Sequence, residues 1–118
     1  MSGKVILSIS ILTSGEKAEL EKCLQSIQRL RDKIPSELIV VDTGCDEKSK
    51  TLIEKYATKV VKFEWCNDFS KARNAGLKEC SGIWFLYLDD DEWFEDPKEI
   101  IDFFQTGKYS YYQYAMYK

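Results

Sequence analysis

The sequence predicts an α/β fold, a mostly parallel sheet with helices on both faces, and three observations carry that reading. Apolar runs of strand length recur along the chain, helical periodicity separates each run from the next, and the runs are near-continuous rather than alternating. Continuous apolar strands are those buried on both sides, as in a sheet covered by crossover helices.

Val5 to Leu12 is the first strand, rich in β-branched residues. Leu20, Cys23, Leu24, Ile27 and Leu30 then repeat at three- and four-residue steps, which marks one apolar helix face, and Thr13 with Glu16 reads as a capping box ahead of it. Leu38 to Val41 forms the second strand, and Leu52, Ile53 and Tyr56 mark a shorter second helix. Val60 to Phe63 is the third strand. A third helix starts near Asn67 or Asp68 and runs to about Cys80, carrying Phe69, Ala72 and Gly76, and Ile83 to Leu88 is the fourth strand. Asp96 as N-cap, Pro97 at the first helical position and Glu99 open a fourth helix that Gly107 stops. The tyrosine-rich end, Tyr109 to Lys118, reads as a fifth strand without partners, an edge through which self-association is expected.

A chain of 118 residues suits one domain, so residues 1–118 are read as a single unit. Its net charge of −3, with lysines scattered rather than striped, argues against a nucleic-acid surface. There is no histidine, which removes the serine–histidine and cysteine–histidine nucleophile systems and nitrogen-ligated metals. Any metal here is held by oxygen. Cys23, Cys45, Cys66 and Cys80 lack Cys-x-x-Cys spacing and read as free, reduced thiols. Lys4 with the run to Leu12 has the outline of a signal peptide, but Ser8 and Ser10 interrupt it and no Ala-x-Ala site follows. No segment approaches the ~18 apolar residues of a membrane span, so a cytoplasmic protein, at most peripheral to a membrane, is expected.

In open parallel sheets, ligands bind beyond the carboxyl ends of the strands. There the first strand runs into Thr13-Ser14-Gly15, the second into Asp42-Thr43-Gly44 and the fourth into Asp89-Asp90-Asp91-Glu92. Four acids at the end of a buried strand are unfavourable unless solvent or a cation relieves them. A hard divalent ion, Mg²⁺ or Mn²⁺, fits, because it takes one or two carboxylates and leaves the rest of its shell to water and substrate phosphates. A solvated acidic turn is the other reading of the same spacing, and Asp42 alone reads as a turn residue. Arg73 sits in a helix among Ala72, Ala75 and Gly76, a small neighbourhood that admits a close backbone or ligand approach. Trp65, Trp84 and Trp93 read as core or rim packing rather than sugar platforms.

Together, Val41-Asp42-Thr43-Gly44, Asp68-Phe69-Ser70-Lys71-Ala72-Arg73-Asn74 and Leu88-Asp89-Asp90-Asp91-Glu92 resemble the motifs of family-2 glycosyltransferases of the GT-A fold. Cys23-Leu24 and Ser26-Ile27 resemble that family's Cys-Leu-x-Ser-Ile pattern. The resemblance implies inverting transfer of a sugar from a nucleoside diphosphate, with a uridine-linked donor expected. It assigns Asp42 to the nucleobase, Arg73 to the nucleotide side of the pocket, Asp89 to the ribose or metal and Asp91 to the metal. Thr13 matches the end of the first strand, whose backbone meets the base. Three departures stand out: Cys45-Asp46-Glu47 replaces the usual Ser-Thr-Asp, Leu12 replaces a proline, and Asp90 stands where alanine is common.

The resemblance also implies an acidic general base and an acceptor site beyond residue 118, so donor binding without transfer is expected of this chain. The acceptor, whether a glycan, a lipid-linked core of cell-wall or glycoconjugate synthesis, or a polypeptide, is not readable. The alternative is a non-catalytic nucleotide-binding or assembly module that retains the pocket. An Asp-x-Asp phosphatase would carry its motif on the first strand, and a phosphoacceptor domain would need acids after it, where Thr13-Ser14 stands.

Overall fold

The computed structural model describes residues 5–15, 18–90, 93–94 and 98–105. Strands β1 (Leu7–Thr13), β2 (Ser36–Asp42), β3 (Lys59–Lys62) and β4 (Trp84–Asp89) alternate with helices α1 (Leu20–Arg31), α2 (Glu47–Tyr56), α3 (Phe69–Leu77) and α4 (Lys98–Gln105). All strand pairs are parallel, in the order β3-β2-β1-β4. The expected α/β class, with its parallel sheet, is the one observed. β1 lies inside the sheet, in register with β2 from Leu7 opposite Ser36 to Thr13 opposite Asp42, and with β4 from Leu7 opposite Trp84 to Leu12 opposite Asp89.

Alternation along the strands sorts side chains to two faces. Leu7, Ile9 and Ile11 of β1, with Leu38 and Val40 of β2, pack against Leu20, Cys23, Leu24, Ile27 and Leu30 of α1, and Ile53 of α2 and Phe104 of α4 complete that core. Trp84 belongs to it, with the rings of Phe103 and Phe104 edge-on at 5.9 and 6.1 Å. On the opposite face α3 rests on β1 and β2. A Cβ on Gly76 would lie 2.6 Å from Ser10 Oγ and 2.8 Å from Val41 Cγ2, so only glycine permits this approach. The serines that make β1 look half polar are both buried, Ser10 beneath Gly76 of α3 and Ser8 beneath Gly82.

At the amino end of the sheet, buried Glu37 accepts from Ser8 Oγ at 2.7 Å and from Ser81 N at 2.7 Å and Oγ at 3.1 Å, while Gly82 N donates to Ser8 Oγ at 2.7 Å. A buried carboxylate is tolerated when its oxygens are hydrogen-bonded. This cluster ties the segment before β4 to β1 and β2 and closes that end.

Asp68 caps α3 by accepting from Lys71 N at 3.1 Å, as expected, but the helix ends at Leu77 rather than Cys80. There Glu79 N and Cys80 N bond back three residues, to Gly76 O and Leu77 O, which tightens the last turn out of α-helical geometry. The second helix is longer than its apolar pattern, because Asp46 caps it by accepting from Ser49 N at 3.2 Å. Thr13 is not the N-cap of α1, and Glu16, its expected partner in a capping box, lies outside the described residues. α1 begins only at Leu20, with Glu19 at its N-cap and no side-chain bond there, and the Thr13 hydroxyl is committed elsewhere. Glu16, Asp91, Glu92, Asp96, Pro97, Gly107 and the expected fifth strand from Tyr109 to Lys118, with its self-association, lie outside the described residues.

Candidate functional site

The carboxyl ends of β1 and β4 and the start of α3 border a cleft of about 630 Å³. Leu12, Thr13 and Ser14 form its floor, Thr43 stands at the β2 side, Asp89 and Asp90 stand at the β4 side, and Phe69 and Arg73 descend from α3. Three of the five residues singled out from sequence, Thr13, Arg73 and Asp89, thus line one cavity. Asp42 does not line it, and Asp91 lies outside the described residues.

The same alternation that builds the core separates the two described acids of the β4 run. Trp84, Leu86 and Leu88 face the α1 core, while Tyr87 and Asp89 face the α3 side and the cleft. Asp89 is exposed, whereas Asp90 is only 5% exposed and accepts the Thr13 hydroxyl proton at 2.7 Å. That hydroxyl also accepts from Gly15 N at 2.9 Å. Asp90 therefore ties the ends of β1 and β4 together, a role that its place in an acidic run did not reveal.

Asp42 is 5% exposed, and its Oδ1 accepts from Gly44 N at 2.9 Å and Cys45 N at 2.7 Å. The turn includes Gly44 at a φ of 133°, a region that L side chains avoid. It is pinned to β1 through Thr43 N and Oγ1, which donate to Thr13 O at 3.0 and 3.2 Å. Asp42 thus organises the turn that carries Thr43 to the cleft. Burial raises its carboxyl pKa, but the N–H groups of Cys45 and Gly44 outweigh that and hold it below the usual carboxylate range.

Arg73 is exposed, with its guanidinium carbon 4.5 Å over the ring of Tyr87. Contact with the Tyr87 hydroxyl, and then the charge of Asp89, raise its already high pKa, while burial raises that of Tyr87. Arg73 is a fixed positive charge beside Asp89, presented by a tyrosine that sequence reasoning passed over.

Residues 8–118 match the model of the family described as Glycosyl transferase family 2. The chain belongs to that family. It is 34% identical over 86 residues to a TPR repeat-containing protein of Synechococcus elongatus, a match that takes in 73% of this chain and 20% of that protein. It is 29% identical over 96 residues to the lipopolysaccharide core biosynthesis glycosyltransferase LpsC of Rhizobium meliloti, covering 78% of this chain and 34% of LpsC. The chain thus spans about a third or less of these relatives. The mannosyltransferase PcManGT from Pyrobaculum calidifontis, solved in complex with GDP-Man and Mn²⁺, shares the GT-A fold at a TM-score of 0.69 and 17% identity, over 84% of this chain and 31% of that one.

Within this family-2 chain the departures noted in sequence acquire physical roles. Cys45 is buried, its thiol reaches Thr13 O at 3.5 Å, and burial with the neighbouring Asp42 pushes its pKa up to about 12, so it is an inert strut rather than a nucleophile. Asp46, the next departure, is the α2 cap. Leu12 gives the cleft an apolar floor.

The Asp42 turn makes a testable contribution to stability. Because its folded pKa is depressed, its stabilising effect is present above the unfolded value of about 3.9 and is lost as pH falls through the folded value. Asp42→Asn should therefore flatten the acid limb of urea-monitored stability below about pH 4, and Asp42→Ala, which removes the acceptor of both N–H groups, should cost about 2 kcal/mol at pH 7. Acid limbs that coincide in wild type and Asp42→Asn would rule out this role. Two backbone bonds to one oxygen are the source of that folding cost.

Proposed function

We propose that this chain is the donor-binding part of an inverting glycosyltransferase that uses a nucleoside-diphosphate sugar, uridine-linked in the first instance. The observation that carries the reading is the convergence of Thr13, Asp89 and Arg73 on one cleft at the carboxyl ends of a parallel sheet, in a chain of the glycosyl transferase family 2.

The roles follow from chemistry. Arg73 offers a permanent positive charge with several donors to the diphosphate. Thr43 and the backbone at Thr13 bracket the base end, and Asp42 serves base recognition through the turn that carries Thr43 to the cleft. Among the described residues no three acids or thiols gather as a cation site. The donor chemistry of the cleft still fits Mg²⁺ or Mn²⁺, because Asp89 is an exposed oxygen donor in a chain without histidine and one or two carboxylates suffice. Asp89 and Asp91 would hold the ion, which when bound neutralises charge on the departing diphosphate. The four free cysteines fit a reducing compartment, so we place the chain in the cytoplasm.

Calorimetry tests the reading directly. UDP and a UDP-sugar should bind saturably in the presence of Mn²⁺, and more tightly than inorganic pyrophosphate. GDP is the necessary comparison, because PcManGT was solved with GDP-Man. Absence of binding by every nucleoside diphosphate with metal present would sink the proposal.

A further inference from the structure

One wall of the cleft is aromatic and has no role in the assignments above. Trp65 is 39% exposed and Phe69 59% exposed, yet the two rings pack edge to face with centroids 4.8 Å apart. The indole N–H of Trp65 donates to Asn67 Oδ1 at 3.0 Å, and Asn67 adopts a φ of 61° just before the Asp68 cap. Asn67 is the residue among the described non-glycine positions with positive φ, so the turn that leads into α3 is shaped around this contact. The pair is therefore held in place without being buried. Large apolar rings fixed at the mouth of a cavity are unfavourable in water and become favourable when a flat ligand covers them.

Their position narrows what that ligand is. The strand order β3-β2-β1-β4 puts the segment after β3, with Trp65, and the turn after β2, with Thr43, towards one side of the cleft, and Asp89 after β4 towards the other. The cavity is thus apolar and aromatic at one end and acidic at the other, with Arg73 between Phe69 on its own helix and Tyr87 on β4. A metal-bound nucleoside diphosphate has the matching polarity: a flat π-system at one end and charge at the other.

We propose that Trp65 and Phe69 form the platform on which the donor's nucleobase stacks, a reading that rests on the donor-binding function above. Every base has a π-face, so stacking supplies affinity without choosing between bases, and discrimination is left to hydrogen bonding at the Asp42 turn. Two consequences follow. Loss of the platform weakens uridine and guanine nucleotides alike, and it leaves ligands without a base untouched.

The experiment is calorimetry in Mn²⁺ with UDP, GDP, a UDP-sugar and inorganic pyrophosphate, on wild type, Trp65→Ala, Phe69→Ala and Trp65→Phe. Both alanine variants should weaken UDP and GDP by about 5- to 150-fold, the range expected of base–aromatic stacking, with pyrophosphate unchanged. Trp65→Phe should retain most of the affinity. Nucleotide should also quench the indole emission of wild type, and Trp65→Phe should lose most of that quench while still binding, because Trp84 is buried in the core and Trp93, under the Lys22 ammonium, is not among the residues that line the cleft. Unchanged UDP and GDP affinity in both alanine variants overturns the platform. Equal weakening of pyrophosphate overturns it too, since that marks a general distortion of the cleft, and so does weakening confined to the UDP-sugar, which would place the sugar on these rings. If wild type binds no nucleoside diphosphate, the donor-binding function itself has failed, an outcome distinct from a wild type that binds and variants that match it.

Discussion

Asp89→Asn should weaken UDP binding in Mn²⁺ by about a hundredfold, and a chelator should abolish most of the wild-type affinity. The chain carries a net charge of −3, the described part of the cleft presents Asp89 and Asp90, and Arg73 is the cation among its described lining residues. A diphosphate entering that field needs more positive charge than one arginine supplies. Removing one partner of a desolvated charge interaction commonly costs 2–5 kcal/mol, and about 2.7 kcal/mol is a hundredfold in affinity. Asp91→Asn should behave as Asp89→Asn does. Glu54→Gln, at an exposed site on α2, should leave binding unchanged, whereas Asp90→Asn should lower stability, because Asp90 takes the Thr13 hydroxyl. Affinity that is indifferent to chelator would remove the metal from the proposal and return the acidic run to a solvated turn.

Gly76→Leu should be the most damaging single change to the fold among those that leave the main core intact. A Cβ at that site meets Ser10 Oγ at 2.6 Å and Val41 Cγ2 at 2.8 Å, and both neighbours are buried on sheet strands that cannot retreat. Overpacking of a tight site costs typically 1–3 kcal/mol, so leucine should sit near 3 and alanine nearer 1. For a domain of this size about 3 kcal/mol lowers the melting temperature by roughly 12 °C or more. Nucleotide affinity should fall with it, since α3 carries Phe69 and Arg73 into the cleft. Ser10→Gly should recover part of the loss in Gly76→Ala, because it deletes the nearer of the two obstructing atoms. A Gly76→Leu protein that melts within about 2 °C of wild type would show that α3 lifts off the sheet without penalty.

The strands were legible because their apolar runs are long and dense in β-branched residues, and observed ends fall within about two residues of expectation. α1 was legible because five apolar residues keep one helical face. Thr13 misled, since a Thr-x-x-Glu spacing is common to caps and to strand ends, and only the presence of Asp90 across the sheet decides where the hydroxyl goes. The apolar stripe of α2 covers only its second half and so gives a shorter helix, while the Asp46 cap starts it at Glu47, five residues before Leu52.

For the candidate site, the sequence by itself determined the chemical inventory at the strand ends: acids after β2 and β4, an arginine among small residues, oxygen-only donors for a cation, and three motifs in the order of glycosyl transferase family 2. These are properties of residue identity and spacing, which survive without coordinates. Only the tertiary structure decided which acid does what. Asp89 and Asp90 are neighbours in sequence and both border the cleft, but Asp89 is exposed there whereas Asp90 is buried and spends an oxygen on the Thr13 hydroxyl, joining β1 to β4. Asp42 is held by the backbone of its own turn. Trp65, Tyr87 and Phe69 join the site because three separate segments end at the same edge of a parallel sheet. Side-chain direction and the meeting of distant segments depend on pairing and packing across the sheet, and a one-dimensional pattern encodes those only indirectly.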